Sequence, residues 1–263
     1  MLGNPIAHSK SPFIHQQFAA QTGQALRYQP VLVPLDGFAR ALQTLQAQGW
    51  RGVNITLPFK QQAYAAATEL GPAALAAGAV NTLQFSHGKV IGDNTDGAGL
   101  VLDLRQHLGC NLTGARVLLL GAGGAARGAI APLLAAGVSA LVVANRTHHK
   151  AIDLVAQFAP NPKLRSAPLA ACDTPFDLVI NATAAGLSNA MPQLPVTCLG
   201  PSSLAYDMVY GPQPTVFMHW AAQTRARTAD GLGMLVAQAA ESFFIWRGVR
   251  PALGPVLASL RAS

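Results

Sequence analysis

A single lysine, Lys60, stands out because of where it lies in the chain. It ends the stretch NITLPFK (54–60), and it is one of only five lysines among 263 residues. The pattern predicts a buried strand over residues 53–56 and a helix that begins at Pro58, with Lys60 in its first turn. A helix start disfavours a cation, so stability does not explain this position.

Polar side chains gather at the ends of several predicted strands. They form four clusters: Ser9 and Ser11, residues 54–60, Asn81 with Thr82, and residues 93–96. Ligands of open α/β sheets bind at the carboxyl ends of strands. Each cluster alone fits a turn as well as it fits a binding site, because Ser, Asn and Asp favour turns. Four such clusters in one chain, together with the glycine-rich turn below, predict a cleft.

The stretch GAGGAA (121–126) fits the pattern G-x-G-x-x-A after a predicted strand and before a predicted helix. Gly121 would allow the tight turn, and Gly123 would let a pyrophosphate approach the backbone. Ala126 would let the helix pack on the strand, and the helix N-terminus would supply amide donors. The alternative is an ordinary turn between a strand and a helix.

The end of the next predicted strand indicates which dinucleotide binds. NAD sites usually carry an acid there for the ribose 2′-hydroxyl, but this strand ends in Asn145, Arg146 and Thr147. A guanidinium can bind a 2′-phosphate bidentately, whereas a carboxylate would repel it. The sequence therefore favours NADP over NAD, unless Arg146 is an ordinary surface arginine.

Strand and helix patterns alternate along the chain, which predicts an α/β protein with mostly parallel sheets covered by helices. We expect strands at 26–33 and 53–56, a hairpin around His87 and Gly88, and a helix that Ser11 caps. The predicted domains are a first domain over residues 1–96, completed by C-terminal helices in 231–263, and a Rossmann domain over residues 97–230.

Composition excludes several other classes of protein. Apolar residues make up 51% and charged residues 11%, which excludes disorder. The net charge of +7 is spread along the chain, so we expect a small anionic ligand and no nucleic acid. The histidines and the three cysteines lack ligand spacing, so we expect no metal. No apolar run predicts a membrane span or a signal peptide, and we expect a cytoplasmic protein.

Taken together, the motifs resemble those of the shikimate dehydrogenases over nearly the whole chain and in that family's order. They are GNPIAHSKSPFIH (3–15), NITLPFK (54–60), GAVNT (78–82), GDNTDG (92–97), GAGGAAR (121–127), NRT (145–147), NAT (181–183), YDMVY (206–210) and DGLGMLVAQA (230–239). The resemblance implies an enzyme that reversibly reduces 3-dehydroshikimate to shikimate with NADPH, on the pathway to chorismate and the aromatic amino acids.

The resemblance also implies roles for matching residues. Lys60 and Asp96 would be the catalytic pair. Substrate would be held by Ser9, Ser11, Thr56, Lys60, Asn81, Asp96, Tyr210 and Gln238. NADP would be bound by Gly121, Ala122, Gly123, Gly124, Ala125, Asn145, Arg146, Thr147, Met208 and Gly231.

One departure and several alternatives accompany this resemblance. Family members carry a strand before the GNP motif, whereas only Met1 and Leu2 precede Gly3 here, so we expect an incomplete strand in the first sheet. The alternatives are a quinate or dual quinate/shikimate dehydrogenase, another Rossmann dehydrogenase with an amino-acid or folate substrate, and a non-catalytic NADP-binding regulator. We expect a monomer or a homodimer.

Overall fold

The computed structural model describes residues 1–158, 160–183 and 193–262. The chain forms two compact units, one of residues 1–100 and 235–263 and the other of residues 101–234. Among the described residues, no helix combines the length and the apolar character that crossing a membrane requires. The functional division predicted at residues 96/97 and 230/231 stays a prediction.

Strands and helices alternate along both units, as the α/β prediction requires. The strands are β1 (Leu2–Gly3), β2 (Val31–Leu32), β3 (Gly52–Asn54), β4 (Glu69–Leu70), β5 (Thr82–Ser86), β6 (Lys89–Asp93), β7 (Arg116–Leu120), β8 (Ala140–Ala144), β9 (Leu164–Ala167), β10 (Leu178–Asn181), β11 (Leu204–Asp207) and β12 (Arg227–Ala229). The helices are α1 (Ser11–Thr22), α2 (Phe38–Ala47), α3 (Lys60–Ala66), α4 (Pro72–Ala77), α5 (Asp96–Leu102), α6 (Gly124–Ala135), α7 (His148–Ala156), α8 (Val216–Ala222), α9 (Leu232–Arg247) and α10 (Leu253–Ala262).

The second unit is built on a six-stranded sheet with the order β12-β11-β10-β7-β8-β9, and every ladder in it is parallel. The sequence order of these strands reverses between β7 and β10, which is the switch point of a doubly wound sheet. Leu118, Val142 and Val179 are buried in its core. Such apolar runs are typical of strands that helices cover on both faces. The predicted Rossmann arrangement is therefore present.

The first unit contains parallel and antiparallel pairs, and the hairpin expected around His87 and Gly88 is part of the antiparallel pairing. The hairpin of β5 and β6 pairs antiparallel, and β5 also pairs antiparallel with β3. Parallel pairs remain between β4 and β6 and between β1 and β2. A short turn at His87 and Gly88 forces the antiparallel pairing, because parallel strands need a long crossover. The core includes Val53, Phe59 and Leu83.

Two local predictions in the first unit are wrong. The strand expected over residues 26–33 is confined to Val31–Leu32, because its partner β1 spans only Leu2–Gly3 and offers a short ladder. The strand before the GNP motif, β1, has two residues. Ser11 does not cap α1 but lies inside its first turn, and its backbone N–H donates to the Ser9 Oγ at 3.2 Å.

Candidate functional site

Lys60 is the first residue of α3, and its ammonium pairs with a carboxylate at the start of α5. The Lys60 Nζ donates to the Asp96 Oδ2 at 2.5 Å, and the two side chains are 28% and 23% exposed. The unfavourable placement of a cation at a helix start is thus offset by a negative charge. The pair is partly buried, but both side chains keep enough solvent-accessible surface to contact a ligand.

Asn81 holds the other oxygen of this carboxylate. Its Nδ2 donates to the Asp96 Oδ1 at 2.7 Å and lies 3.4 Å from the Gln238 Oε1 on α9. Asn81 is 3% exposed, so its amide is held inside the protein. Four residues expected around the ring hydroxyls of a substrate (Lys60, Asn81, Asp96, Gln238) are therefore joined in one hydrogen-bonded cluster.

The serine pair and Thr56 lie next to the GNP motif. Ser9 and Ser11 are linked through the Ser9 Oγ, and Ser11 is buried while Ser9 is partly exposed. A Cβ on Gly3 would lie only 2.4 Å from the Thr56 Cγ2, so this motif and the end of β3 pack with no space for a side chain between them. The absent side chain at Gly3 lets the two segments meet.

The sequence did not assign a role to several polar residues that lie behind this cluster. Asn54, Thr82 and Thr95 are buried and bonded to one another or to Asn81, and Ser242 joins them from α9. The sequence motifs gave no indication of Ser242, because a single serine in an apolar helix has no pattern that distinguishes it from a residue without a role. Its spacing of four from Gln238 was the available signal, since residues i and i+4 share one face of a helix.

In the second unit, the glycine-rich turn leaves β7 at the switch point and opens α6. Gly121 has a φ of 111°, a conformation that favours glycine, and a Cβ there would lie 3.0 Å from the Ala182 carbonyl oxygen. Gly123 caps α6 without a side-chain hydrogen bond, and a Cβ on Gly123 or Gly124 would meet open space. Ala126 is fully buried against the sheet. Free amides beside open space fit a pyrophosphate.

The segment after β8 presents its arginine to solvent. The Asn145 Nδ2 donates to the Thr147 carbonyl oxygen at 2.9 Å, which closes a tight turn before α7. Arg146 is exposed, and within the described parts of the chain its guanidinium has no hydrogen bond or ion pair. Its donors are therefore available to a phosphate, because none of the described residues supplies a carboxylate partner for them.

The remaining candidates in the second unit follow β11. A Cβ on Gly231 would lie 2.1 Å from the Met208 carbonyl oxygen, so these two candidates for cofactor binding lie in contact. Tyr210 is 36% exposed, and burial of part of its ring raises the pKa of its hydroxyl. This segment starts from buried Asp207, whose carboxylate accepts from Thr215, Asn181 and the Val209 amide. Burial raises the pKa of Asp207.

The parallel sheet and its glycine-rich turn place the chain in the class of α/β dehydrogenases that bind a dinucleotide. Models of three related domains match it: a shikimate dehydrogenase substrate binding domain over residues 1–83, a shikimate/quinate 5-dehydrogenase over residues 103–189, and a shikimate 5′-dehydrogenase C-terminal domain over residues 231–261. The chain belongs to the shikimate dehydrogenase family.

Individual relatives match the chain over nearly their full lengths. The chain is 55% identical to a shikimate dehydrogenase (NADP(+)) of Herminiimonas arsenicoxydans, covering 100% of this chain and 96% of the relative. A crystal structure of an Ael1 enzyme from Pseudomonas putida matches with a TM-score of 0.95, 44% identity and coverages of 98% and 96%. The shikimate 5-dehydrogenase of Thermus thermophilus, in complex with NADP(H) and shikimate, matches with a TM-score of 0.89, 34% identity and coverages of 99% and 97%.

Proposed function

We propose that the chain catalyses the reversible, NADP-dependent reduction of 3-dehydroshikimate to shikimate, on the pathway to chorismate and the aromatic amino acids. The observation that carries this proposal is the direct Lys60–Asp96 pair at 2.5 Å, whose carboxylate also accepts from Asn81, in a chain of the shikimate dehydrogenase family. Membership of the shikimate dehydrogenase family indicates the class of reaction. The pair supplies groups that such a reaction needs, because a secondary alcohol can be oxidised only if its hydroxyl proton is removed.

Lys60 handles that proton in the proposed mechanism. NADPH supplies the hydride when it is bound. In the direction of reduction, the Lys60 ammonium donates a proton to the carbonyl oxygen of the substrate. In the direction of oxidation, the Lys60 amine accepts the proton of the hydroxyl. Asp96 orients the Lys60 Nζ through the 2.5 Å contact. Asn81 fixes the carboxylate from its other side.

The substrate is held, in this proposal, by groups of two kinds. Ser9 and Ser11 bind its carboxylate, because hydroxyls donate well to a carboxylate. The hydroxyl of Tyr210 is a further candidate donor to the substrate. Thr56, Asn81 and Gln238 bind the ring hydroxyls and act with the catalytic pair. Residues 1–96, with 231–263, form the substrate domain of the proposal.

Residues 97–230 bind NADP. Residues 121–125 hold the pyrophosphate with backbone amides, and Arg146 binds the 2′-phosphate from the turn that Asn145 and Thr147 form. Met208 and Gly231 lie at the nicotinamide end. We place the enzyme in the cytoplasm, as a monomer or homodimer that needs no nucleic acid.

A spectrophotometric assay at 340 nm tests the function directly. The protein is assayed with shikimate and with quinate, each with NADP and with NAD. We expect the highest kcat/KM with shikimate and NADP. No turnover in any of the four combinations would refute the enzyme and would favour a non-catalytic, NADP-binding regulator.

Quinate is the second candidate substrate, and one specific observation favours it. The family model that matches residues 103–189 describes both shikimate and quinate 5-dehydrogenases. Quinate differs from shikimate by a saturated ring with an additional hydroxyl. A kcat/KM for quinate within about tenfold of that for shikimate would establish a dual enzyme, and a higher value for quinate would reverse the assignment.

A further inference from the structure

A buried network of amides and hydroxyls lies directly behind the catalytic pair. We call it the hydroxyl–amide network and define it by residues with at most 6% exposure: Asn54, Asn81, Thr82, Thr95 and Ser242. Its only bond to a charged group in the described structure is the one from Asn81 to Asp96. A buried network in which every polar group finds a partner holds its members rigidly.

The orientation of the Asn81 amide is fixed by a group that can only donate. The Thr95 backbone N–H donates to the Asn81 Oδ1 at 2.9 Å, and the Thr82 Oγ1 donates to the same oxygen at 2.9 Å. The Asn81 Nδ2 must therefore face the opposite side, where it meets the Asp96 carboxylate. Catalytic geometry at Asp96 thus depends on where Thr82 and Thr95 hold the Asn81 side chain.

Ser242 joins both threonines from the opposite side. Its Oγ lies 2.7 Å from the Thr82 Oγ1 and 3.2 Å from the Thr95 Oγ1. It also accepts from the Asn54 Nδ2 at 2.9 Å, and its single proton goes either to the Thr82 Oγ1 or to the Gln238 carbonyl oxygen, which lies 3.1 Å away and one turn earlier in α9. The side chain is fully buried. One hydroxyl therefore ties the helix that carries Gln238 to the residues that orient Asn81.

We propose that Ser242 is a positioning residue, which holds Thr82 and Thr95 so that Asn81 stays bonded to Asp96. This inference rests on the proposed function for its catalytic part. Ser242 does not touch the reacting atoms. Its removal takes one partner from each of the Thr82 and Thr95 hydroxyls, so the Thr82 Oγ1 is held less firmly against the Asn81 Oδ1. The bond from Asn81 to the Asp96 Oδ1 then becomes less rigid.

The test compares Ser242→Ala with a matched control, Ser259→Ala. Ser259 lies on α10, is exposed, and donates to the Pro255 carbonyl oxygen one turn earlier at 3.0 Å, so it shares only the helix-internal bond of Ser242. Loss of one neutral hydrogen bond corresponds to roughly a 2- to 12-fold change. In Ser242→Ala we expect kcat with shikimate to fall and KM for shikimate to rise, each within that range, while KM for NADP stays at the parent value. In Ser259→Ala we expect all of these constants to stay at the parent values.

A second measurement does not depend on turnover. Hydrogen exchange of the Asn81 side-chain amide protons, followed by NMR, reports how firmly Asn81 is held. We expect exchange roughly 2- to 12-fold faster in Ser242→Ala than in the parent, and no change in Ser259→Ala. Unchanged exchange at Asn81 overturns the proposal. Faster exchange with unchanged kcat and KM for shikimate overturns its catalytic part.

The two measurements also separate this inference from the proposed function. If the parent fails to turn over shikimate, the proposed function fails, and the exchange rates alone decide whether Ser242 positions Asn81. If Ser242→Ala does not fold, Ser242→Cys replaces it, because a thiol has nearly the same shape and forms only weak hydrogen bonds. Faster Asn81 exchange in the folded Ser242→Cys protein supports the proposal, and parent-like exchange overturns it.

Discussion

The two candidate binding regions differ in whether their polar groups are already hydrogen-bonded to other residues of the protein. In the first unit, Asp96 and Asn81 are bonded to neighbouring side chains, and the bonds continue into the buried hydroxyl–amide network. In the second unit, the amides after Gly123 and the guanidinium of Arg146 face open space or solvent, with no side-chain partner in the described structure. One region is organised by its own bonds, whereas the other keeps its donors free.

This difference follows from what each region has to do. Proton transfer needs donor and acceptor atoms at fixed positions, so the groups around Lys60 are held by other residues. A pyrophosphate or a 2′-phosphate brings its own charge and many acceptors, so free amides and one cation are sufficient. Changes in the first region should therefore depend on one another, whereas a change in the second should act alone.

The largest expected effect is that of Lys60→Ala. Loss of a positioned acid or base should lower kcat with shikimate by roughly 10²–10⁴-fold. NADP affinity should stay near the parent value. Lys89→Ala is the matched control, because Lys89 forms an exposed ion pair with Glu69 in the same unit, also at 2.5 Å. Steady-state kinetics and NADP titration measure both, and a kcat within a few-fold of the parent would remove Lys60 from the mechanism.

Asp96→Asn tests whether the first region acts as a unit. The change keeps the shape but removes the charge that orients Lys60, so we expect kcat to fall by about 10²-fold and KM for shikimate to rise. The double variant with Lys60→Ala should lose much less than the product of the two single losses, because both act in one step. Losses in kcat/KM that multiply would show that the two residues act independently.

Arg146→Ala tests the open region. A charged hydrogen bond contributes about 1.5–3 kcal/mol, so NADP should bind roughly 10–150-fold more weakly while NAD is nearly unaffected. The control is Arg165→Ala, which removes an exposed arginine of β9 in the same unit. The effect should multiply with that of Lys60→Ala. A parent that prefers NAD, or an NADP/NAD ratio of kcat/KM that Arg146→Ala leaves unchanged, would show that this turn does not bind the 2′-phosphate.

The obvious companion change, Asn145→Asp, is less clean than the sequence indicates. A carboxylate would repel the 2′-phosphate and accept the 2′-hydroxyl of NAD. The Asn145 amide, however, donates to the Thr147 carbonyl oxygen, and a carboxylate cannot replace that bond. The variant should therefore distort the turn as well as change its charge. Arg146→Ala remains the cleaner test of cofactor choice.

The smallest expected effect is on the free energy of unfolding, through a buried histidine beside the hydroxyl–amide network. His15 is fully buried, stacks on Tyr28 with ring centroids 4.1 Å apart, and Tyr28 donates to Asn54. Burial, followed by the positive N-terminal amine, lowers the pKa of His15 from 6.5 to about 3. The folded state thus takes up this proton less readily than the unfolded state, so the stabilising contribution is complete above pH 6.5 and is lost as the pH falls toward 3.

The expected loss from this group is about 2 kcal/mol between pH 7 and pH 5. His15→Leu should remove that part of the pH dependence, while the exposed His8→Leu should keep it. Urea unfolding at both pH values measures the difference. Burial lowers the pKa of the Met1 amine to about 5, so this group also contributes to the pH dependence of stability between pH 7 and pH 5. Its contribution is present in the parent and in the variants, so it largely cancels when they are compared. Equal pH dependence in His15→Leu and the parent would refute the prediction.

The sequence by itself determined the class of fold, the second unit and the family. The predicted turn at Gly121, the helix after it and the hairpin around Gly88 all lie where expected, because glycine conformation, periodicity and turn chemistry are local properties. The motifs indicated the family, and relatives that match the full length of the chain confirm it. The roles of individual site residues stay predictions.

Only the tertiary structure decided how distant residues meet. The pairing of β3 with β5 and the short strand at Val31–Leu32 depend on which segments become neighbours, and no local pattern contains that information. The same holds for Ser242, which lies 160 positions from Thr82 along the chain but 2.7 Å from it in space. A hydrogen bond of this kind exists only after folding, because residues 235–247 of α9 fold as part of the first unit and bring the two hydroxyls together.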